Sequence, residues 1–78
     1  MTGDVTDLDE ARLRLGLTFY DLWLRYLGLG GSHDAHGIRS YLTGRHKFSD
    51  VDHDHLVLAL NEAFVDAGEG RSLPYRQA

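Results

Sequence analysis

The sequence predicts a small all-α protein, a three-helix bundle, and two observations carry that prediction. Apolar residues recur at helical spacing in three stretches, and glycine or helix-capping residues separate the stretches. No stretch alternates apolar and polar residues as a half-buried strand does, and there is no internal repeat. Residues 1–78 are therefore expected to form a single helical domain, with helices at about residues 7–28, 33–43 and 50–67.

The first predicted helix spans about residues 7–28 and follows a lead, residues 1–6, that is expected to be disordered. Thr6 or Asp7 can act as its N-cap, because a short polar side chain accepts a hydrogen bond from a free backbone N–H of the first turn. Gly16 lies inside the apolar pattern and is interpreted as a tolerated helix glycine, which costs about 1 kcal/mol relative to alanine. The stretch is therefore predicted to be one long helix.

This predicted helix is apolar around most of its circumference. When successive residues are placed about 100° apart, the polar positions form only a narrow strip: Glu10, Arg14, Thr18, Asp21, Arg25 and Gly28. An ordinary surface helix buries one apolar stripe against the core, so a second apolar stripe must be buried by another surface. A short chain can rarely provide that surface by itself. The sequence therefore predicts a protein partner along this helix. Its contact residues are predicted to be Tyr20, Trp23, Leu24 and Leu27.

The second predicted helix is short, at about residues 33–43. Gly30 or Gly31 is expected to end the first helix in a left-handed conformation, and Ser32 is expected to cap the second. In the connector that follows, Phe48 is expected to be buried beneath the helices because it is the connector's one large apolar residue.

The third predicted helix runs from about residue 50 to residue 67, with Ser49 as N-cap and Gly68 as the stop signal. Residues 69–78 form a tail in which Pro74 excludes a helix. We expect this tail to be extended and able to dock on the domain.

Composition limits the classes of function and the compartment. The chain has no cysteine, which excludes disulfides and thiolate zinc sites, and its formal net charge is −4. An acidic chain does not offer the broad basic surface that grips nucleic acid, so no nucleic-acid partner is favoured. The N-terminus lacks the features of a signal peptide and no apolar run is long enough for a membrane span, so we expect a cytoplasmic protein.

Because the chain has no cysteine, a metal site would have to combine its five histidines with carboxylates. His33 and His36 are three residues apart and form a weak candidate zinc pair, which Asp34, His46 or His53 would have to complete. Exposed histidines at a helix start have the same spacing, so no metal site is favoured. A pH response is the other interpretation, and His53 is its best candidate because it lies on the apolar face of the third helix.

No catalytic or cofactor motif is present. The glycines of residues 28–32 follow a predicted helix rather than a strand, so they indicate a helix stop and not a phosphate loop. Residues 50–54 match the first ligand positions of a calcium-binding loop, but the glycine and glutamate that such a loop needs later are absent. We therefore expect a non-enzymatic protein without cofactor or small-molecule substrate.

The sequence thus favours a small regulatory or adaptor protein that binds other proteins and self-associates through its first helix. The alternative is a helix-turn-helix DNA-binding regulator, because three short helices with a glycine turn are the ingredients of that motif. Its recognition helix would be the second, which offers Arg39 with Arg45, His46 and Lys47 just beyond it, or the third, whose acidic start would face the phosphates with the wrong charge.

Overall fold

The computed structural model describes residues 5–77, in which all the regular secondary structure is helical and there is no strand. The all-α prediction is confirmed, but the structure has four helices instead of three: α1 Val5–Arg14, α2 Phe19–Gly28, α3 Ala35–Leu42 and α4 Asp50–Asp66. Residues 1–4 of the predicted disordered lead lie outside the described range. Val5 and Thr6 already belong to α1, so neither Thr6 nor Asp7 caps it.

The long first helix of the sequence prediction is wrong, because the chain breaks at Gly16. Gly16 has a φ of +71°, and its N–H donates to the Leu13 carbonyl at 3.1 Å while the Leu17 N–H donates to the Arg12 carbonyl at 3.0 Å. This pattern of a left-handed glycine with back-reaching amides is a helix stop. Gly16 is therefore the C-terminal cap of α1 and not a tolerated residue inside a longer helix.

A new helix starts two residues later, at a capping box. The Thr18 side chain accepts the Asp21 N–H at 3.0 Å, and the Asp21 carboxylate accepts the Thr18 N–H at 3.0 Å. The reciprocal pair satisfies two backbone donors at the start of α2. The 14–19 connection is thus specified from both sides, by a stop and by a start.

Arg12 joins the two halves of this break. Its Nε donates to Asp9 at 2.8 Å, and a guanidinium N–H donates to the Leu17 carbonyl at 2.8 Å. The guanidinium carbon also lies 3.9 Å from the centre of the Phe19 ring, within cation–π range. Arg12 is almost fully buried and holds the end of α1, the turn and the start of α2 together.

The connection from α2 to α3 folds over Tyr26. The Tyr26 hydroxyl accepts the N–H groups of Ser32 and His33, both at 3.2 Å. A Cβ on Gly31 would lie 2.3 Å from the Tyr26 ring, so only glycine fits there. Ser32 does not cap α3; Asp34 does, accepting the Gly37 N–H at 2.7 Å, and α3 is accordingly shorter than the predicted 33–43.

The last helix agrees with its prediction to within one residue. Ser49 is the N-cap of α4 and accepts the Asp52 N–H at 3.1 Å, and Ala67 is the C-cap. Phe48 is buried as predicted, with its ring stacked on Tyr41 at a centroid distance of 4.2 Å. Local capping signals therefore located α4 correctly.

The four helices enclose one core. Both α1 and α2 pack against both α3 and α4. The side chains with no exposed surface are those of Leu8, Leu22, Tyr26, Ile38, His53, Leu56, Val57, Ala59, Leu60 and Phe64.

The tail is extended, as predicted, and it docks on α4. Asn61 hydrogen-bonds both the N–H and the carbonyl of Leu73, and the carboxylate of Asp54 accepts the N–H groups of Arg76 and Gln77. The tail therefore runs back along α4 from its middle towards its first turn.

Candidate functional site

The candidate site is the exposed apolar side of α2. Tyr20, Leu24 and Leu27 lie at i, i+4 and i+7 on one side of the helix and expose 58%, 46% and 45% of their surface. These residues, with Trp23 at their border, are called the α2 face below. Half-exposed leucines and tyrosines in one row are the kind of surface that partners cover.

Trp23 has a different role from its three neighbours. It is less exposed than Tyr20, Leu24 and Leu27, packs against the core, and donates its indole N–H to the His33 carbonyl at 3.0 Å. The Tyr20 ring lies beside it, with 5.5 Å between ring centres. Trp23 thus anchors α2 to the start of α3 and supports the α2 face from its edge.

The break at Gly16 changes the reason for this exposure. A continuous helix would carry two apolar stripes, but separate helices can each turn toward the core, and Leu15, Leu17 and Phe19 are partly buried against it. The surplus apolar surface of this region is therefore smaller than the sequence suggested. It is limited to the α2 face and to Leu13 on α1, which exposes 63% of its surface.

Charges of both signs flank the α2 face. The pKa of Asp21 is held below its ordinary value because the backbone N–H and the hydroxyl of Thr18 hydrogen-bond its carboxylate. Asp21 is therefore an anion at neutral pH. Arg25 pairs with Asp66 of α4 at 2.9 Å. Along α2, the acidic Asp21 lies in the first turn and the basic Arg25 in the last turn.

The structure does not bring the candidate metal ligands together. His33 stacks on Phe48 and binds Asp52 through Nε2 at 3.0 Å, while His36 is exposed on α3. Within residues 5–77, no group of three or more histidine, aspartate or glutamate side chains is placed to hold a metal ion. Asp50 and Asp54, from the calcium-loop pattern, both bind the tail instead.

His53 is buried in the core, as its place on the apolar face suggested. Its Nδ1 hydrogen-bonds the Tyr41 hydroxyl, and its Nε2 has no hydrogen-bond partner in the described part of the chain. Burial lowers the pKa of His53, and the nearby Arg76 charge lowers it further, against the opposite effects of Asp54 and Asp50. His53 is thus a neutral core residue that resists protonation.

One segment of the surface is basic. Residues 35–49 contain no carboxylate, and their Arg39, Arg45 and Lys47 are exposed. These three cations form no ion pair with any residue from 5 to 77, whereas Arg12, Arg14, Arg25 and Arg76 each pair with a carboxylate. Positive charge is therefore concentrated at the end of α3 and in the connector.

Two polar residues of α4 were not identified as contact residues from the sequence. Asp54 and Asn61 are seven residues apart and hold the backbone of the tail. The available signal was an asparagine inside an apolar helix at a helical repeat from an aspartate, which indicates two polar groups on one side. The sequence gives no reason to place the tail beside α4, so these two polar residues alone could not be recognised as its binding partners.

Comparison with protein-family models, curated proteins and solved structures finds no match to this chain. No helix among residues 5–77 has the length and apolar character required to cross a membrane.

Proposed function

We propose that this chain is a small non-enzymatic regulator or adaptor that acts through protein–protein interaction and self-associates through the α2 face. The observation that carries the proposal is the row of Tyr20, Leu24 and Leu27, each about half exposed on a well-capped helix. Aromatic and leucine side chains on a rigid helix lose little conformational entropy on binding, so they suit an interface.

An antiparallel pair of α2 helices fits this surface best. With the two-fold axis near Leu24, each Leu24 meets its counterpart and Tyr20 of one copy meets Leu27 of the other. The same arrangement brings Asp21 of one copy towards Arg25 of the other, because acid and base lie at opposite ends of the helix. Apolar and charged positions are thus both complementary in one symmetric arrangement.

The contact is expected to be weak. A ten-residue helix is about 15 Å long, so a pair of such helices buries less than the roughly 1,600 Å² of a standard interface. We therefore expect a dimer that dissociates in the micromolar range or above, one suited to reversible regulation.

The test is the solution mass across a wide range of protein concentration, for the wild type and for Leu24→Asp. We expect a concentration-dependent dimer for the wild type and a monomer for Leu24→Asp. Val65→Asp is the matched control, because Val65 is an exposed apolar residue of α4 and does not belong to the α2 face. Trp23→Asp is unsuitable, since Trp23 also holds the fold. A monomeric wild type at every concentration would refute the proposal.

DNA binding remains the second candidate, and the basic segment of residues 35–49 favours it. Arg45 and Lys47 directly precede the N-terminus of α4 in the chain, and the acidic side chains of that N-terminus are already engaged by the tail and by His33. Titration with random duplex DNA at low and high salt tests it, with Arg45→Glu as the variant. Binding that weakens with salt and with this substitution supports DNA binding, and the absence of binding at low salt excludes it.

A further inference from the structure

We propose that one edge of α4 is a peptide-binding site that accepts the C-terminal tail of a second copy, and that the chain's own tail occupies it in the structure described above. Asp50, Asp54 and Asn61 form this edge, which is called the tail edge below. It is a different surface from the α2 face, and the proposal does not depend on the proposed function.

Asn61 is the first clamp of the tail edge. Its amide oxygen accepts the Leu73 N–H at 2.7 Å, and its amide nitrogen donates to the Leu73 carbonyl at 3.1 Å. One side chain thus satisfies both backbone groups of one residue, as a neighbouring strand would. This contact recognises an extended backbone and not a particular side chain.

Asp54 is the second clamp. Its two carboxylate oxygens accept the N–H groups of Arg76 and Gln77, at 2.7 Å and 2.9 Å. Hydrogen bonds to an ionised acceptor are stronger than neutral ones, so this clamp holds the end of the segment firmly. It too contacts only the backbone.

The spacing of the two clamps selects an extended ligand. Asp54 and Asn61 are seven residues apart, which is about 10.5 Å along a helix. Leu73 and Arg76 are three residues apart, which is about 10 Å in an extended chain but only about 4.5 Å in a helix. Pro74, between the clamped residues, lacks an N–H and favours the extended form.

Two side chains of the segment add selectivity. Leu73 packs against the core and lines a surface depression of about 390 Å³ between α1 and α4, beside Ala11 and Phe64. The Arg76 guanidinium lies 3.6 Å from the Asp50 carboxylate. The site therefore fits a leucine followed three residues later by an arginine, on an extended backbone.

A second copy is the partner that this chemistry fits, because every copy carries that segment. All these contacts are made by residues 73–77, so binding does not require the link that joins them to α4. The link, residues 68–72, is mainly exposed and contains Gly68 and Gly70. Because a tethered tail has a high effective concentration, a second copy competes only when the first tail is disengaged.

The test uses the full chain with its own tail disengaged by Leu73→Asp. The probe is a fluorescent synthetic peptide, EGRSLPYRQA, whose sequence is that of residues 69–78. We expect the Leu73→Asp protein to bind it at least tenfold more tightly than the wild type, in which the attached tail competes. Circular dichroism checks that the variant is folded, and Leu73→Ala replaces it if it is not.

Two matched controls make the result specific. Adding Asn61→Leu to the Leu73→Asp protein should abolish binding, and the peptide with aspartate in place of its leucine should not bind. Leu24→Asp should leave peptide binding unchanged, which separates this site from the α2 face. A folded tail-disengaged protein that fails to bind the peptide, or binds both peptides equally, overturns the proposal.

The absence of native cysteine allows a direct test of exchange between copies. One chain carries Val51→Cys, at an exposed position one turn before Asp54 on α4, and the other carries Gln77→Cys. Both clamps then stay in place, and a disulfide between the two chains requires a tail to reach the tail edge of another molecule. We expect this mixed disulfide to form faster than that between Glu62→Cys and Gln77→Cys. Equal rates would show that a second copy does not occupy the site.

Discussion

The Tyr41 hydroxyl and the Nδ1 atom of His53 lie 2.5 Å apart inside the core, where they join α3 to α4. The two rings meet edge to face, and the Tyr41 ring also stacks on Phe48. This contact places a titratable ring at the centre of the fold without a charged partner in hydrogen-bond contact. We therefore expect the acid stability of the protein to depend on His53.

We expect His53 to make the protein less stable as the pH falls. Burial lowers the native-state pKa of His53 below its ordinary value of 6.5, so the unfolded chain takes up the proton first. Above about pH 6.5 His53 is largely neutral in both states and contributes no pH dependence; below it, the free energy of unfolding falls until the native-state pKa is reached. Urea unfolding followed by Trp23 fluorescence measures this.

The control separates His53 from the other histidines. His53→Gln should lose less stability than the wild type between about pH 7.5 and pH 5. His36→Gln is the matched control for the change of residue type, because His36 is exposed on α3. Asp50, Asp54 and Arg76 are the charges that act on His53, and Tyr41 is the titratable group in contact with it. Identical pH dependence in the wild type and His53→Gln would contradict this assignment.

Gly31→Ala should destabilise the protein by about 2 kcal/mol, within the range for overpacked sites. The added Cβ would lie 2.3 Å from the Tyr26 ring, which is fully buried and cannot move aside. Gly28→Ala is the matched control, since nothing lies within 4 Å of its Cβ and alanine favours the end of α2. Thermal unfolding compares the two, and a Gly31→Ala protein as stable as Gly28→Ala would rule out the close contact.

Gly16→Ala tests whether the first stretch is one helix or two. In a continuous helix this change would stabilise the protein by about 1 kcal/mol. At the left-handed φ of +71° it should instead cost about 1–2 kcal/mol, although there is open space around the Cβ. The sign of the change in the midpoint of urea unfolding decides between the two, and stabilisation would favour the single helix.

Arg12→Lys should destabilise the protein by about 1–3 kcal/mol, because a lysine cannot bind Asp9 and the Leu17 carbonyl while lying flat on Phe19. Arg14→Lys is the control. Arg14 pairs with Glu69 on the surface, where such a change alters stability by about 0.5 kcal/mol or less. Chemical denaturation of both variants measures the difference, and equal effects would mean that Arg12 does not hold the α1–α2 junction.

The elements that the sequence predicted well are those with complete local signals. Ser49 and Gly68 bracket α4, and both act as predicted because capping depends on residues within one turn. Pro74 likewise kept the tail extended. The sequence prediction missed the break at Gly16 because the sequence shows a glycine but not whether its backbone is helical or left-handed. Thr18 and Asp21 were the available signal for a new helix start there. They form a capping box in which aspartate takes the place of the more usual glutamate, so the pattern is easily overlooked.

The candidate site was predictable only in part. Tyr20, Leu24 and Leu27 share one side of α2, which periodicity alone placed correctly. Trp23 belongs to the same apolar pattern, yet its indole is committed to the His33 carbonyl. No pattern within α2 distinguishes an anchor from an exposed contact, because the distinction depends on which neighbouring element covers the side chain.

The sequence alone determined that this protein is all-helical, where α4 begins and ends, and which residues are apolar, because these follow from spacing and capping within a few residues. Only the tertiary structure decided that the first stretch is two helices, that His53 pairs with Tyr41, and that Asp54 and Asn61 hold the tail. The contacts of His53, Asp54 and Asn61 join residues at least twelve positions apart, whereas the break between α1 and α2 depends on the backbone conformation that Gly16 adopts. Contacts between distant residues depend on how the helices and the tail pack together, and that packing cannot be predicted from local sequence patterns.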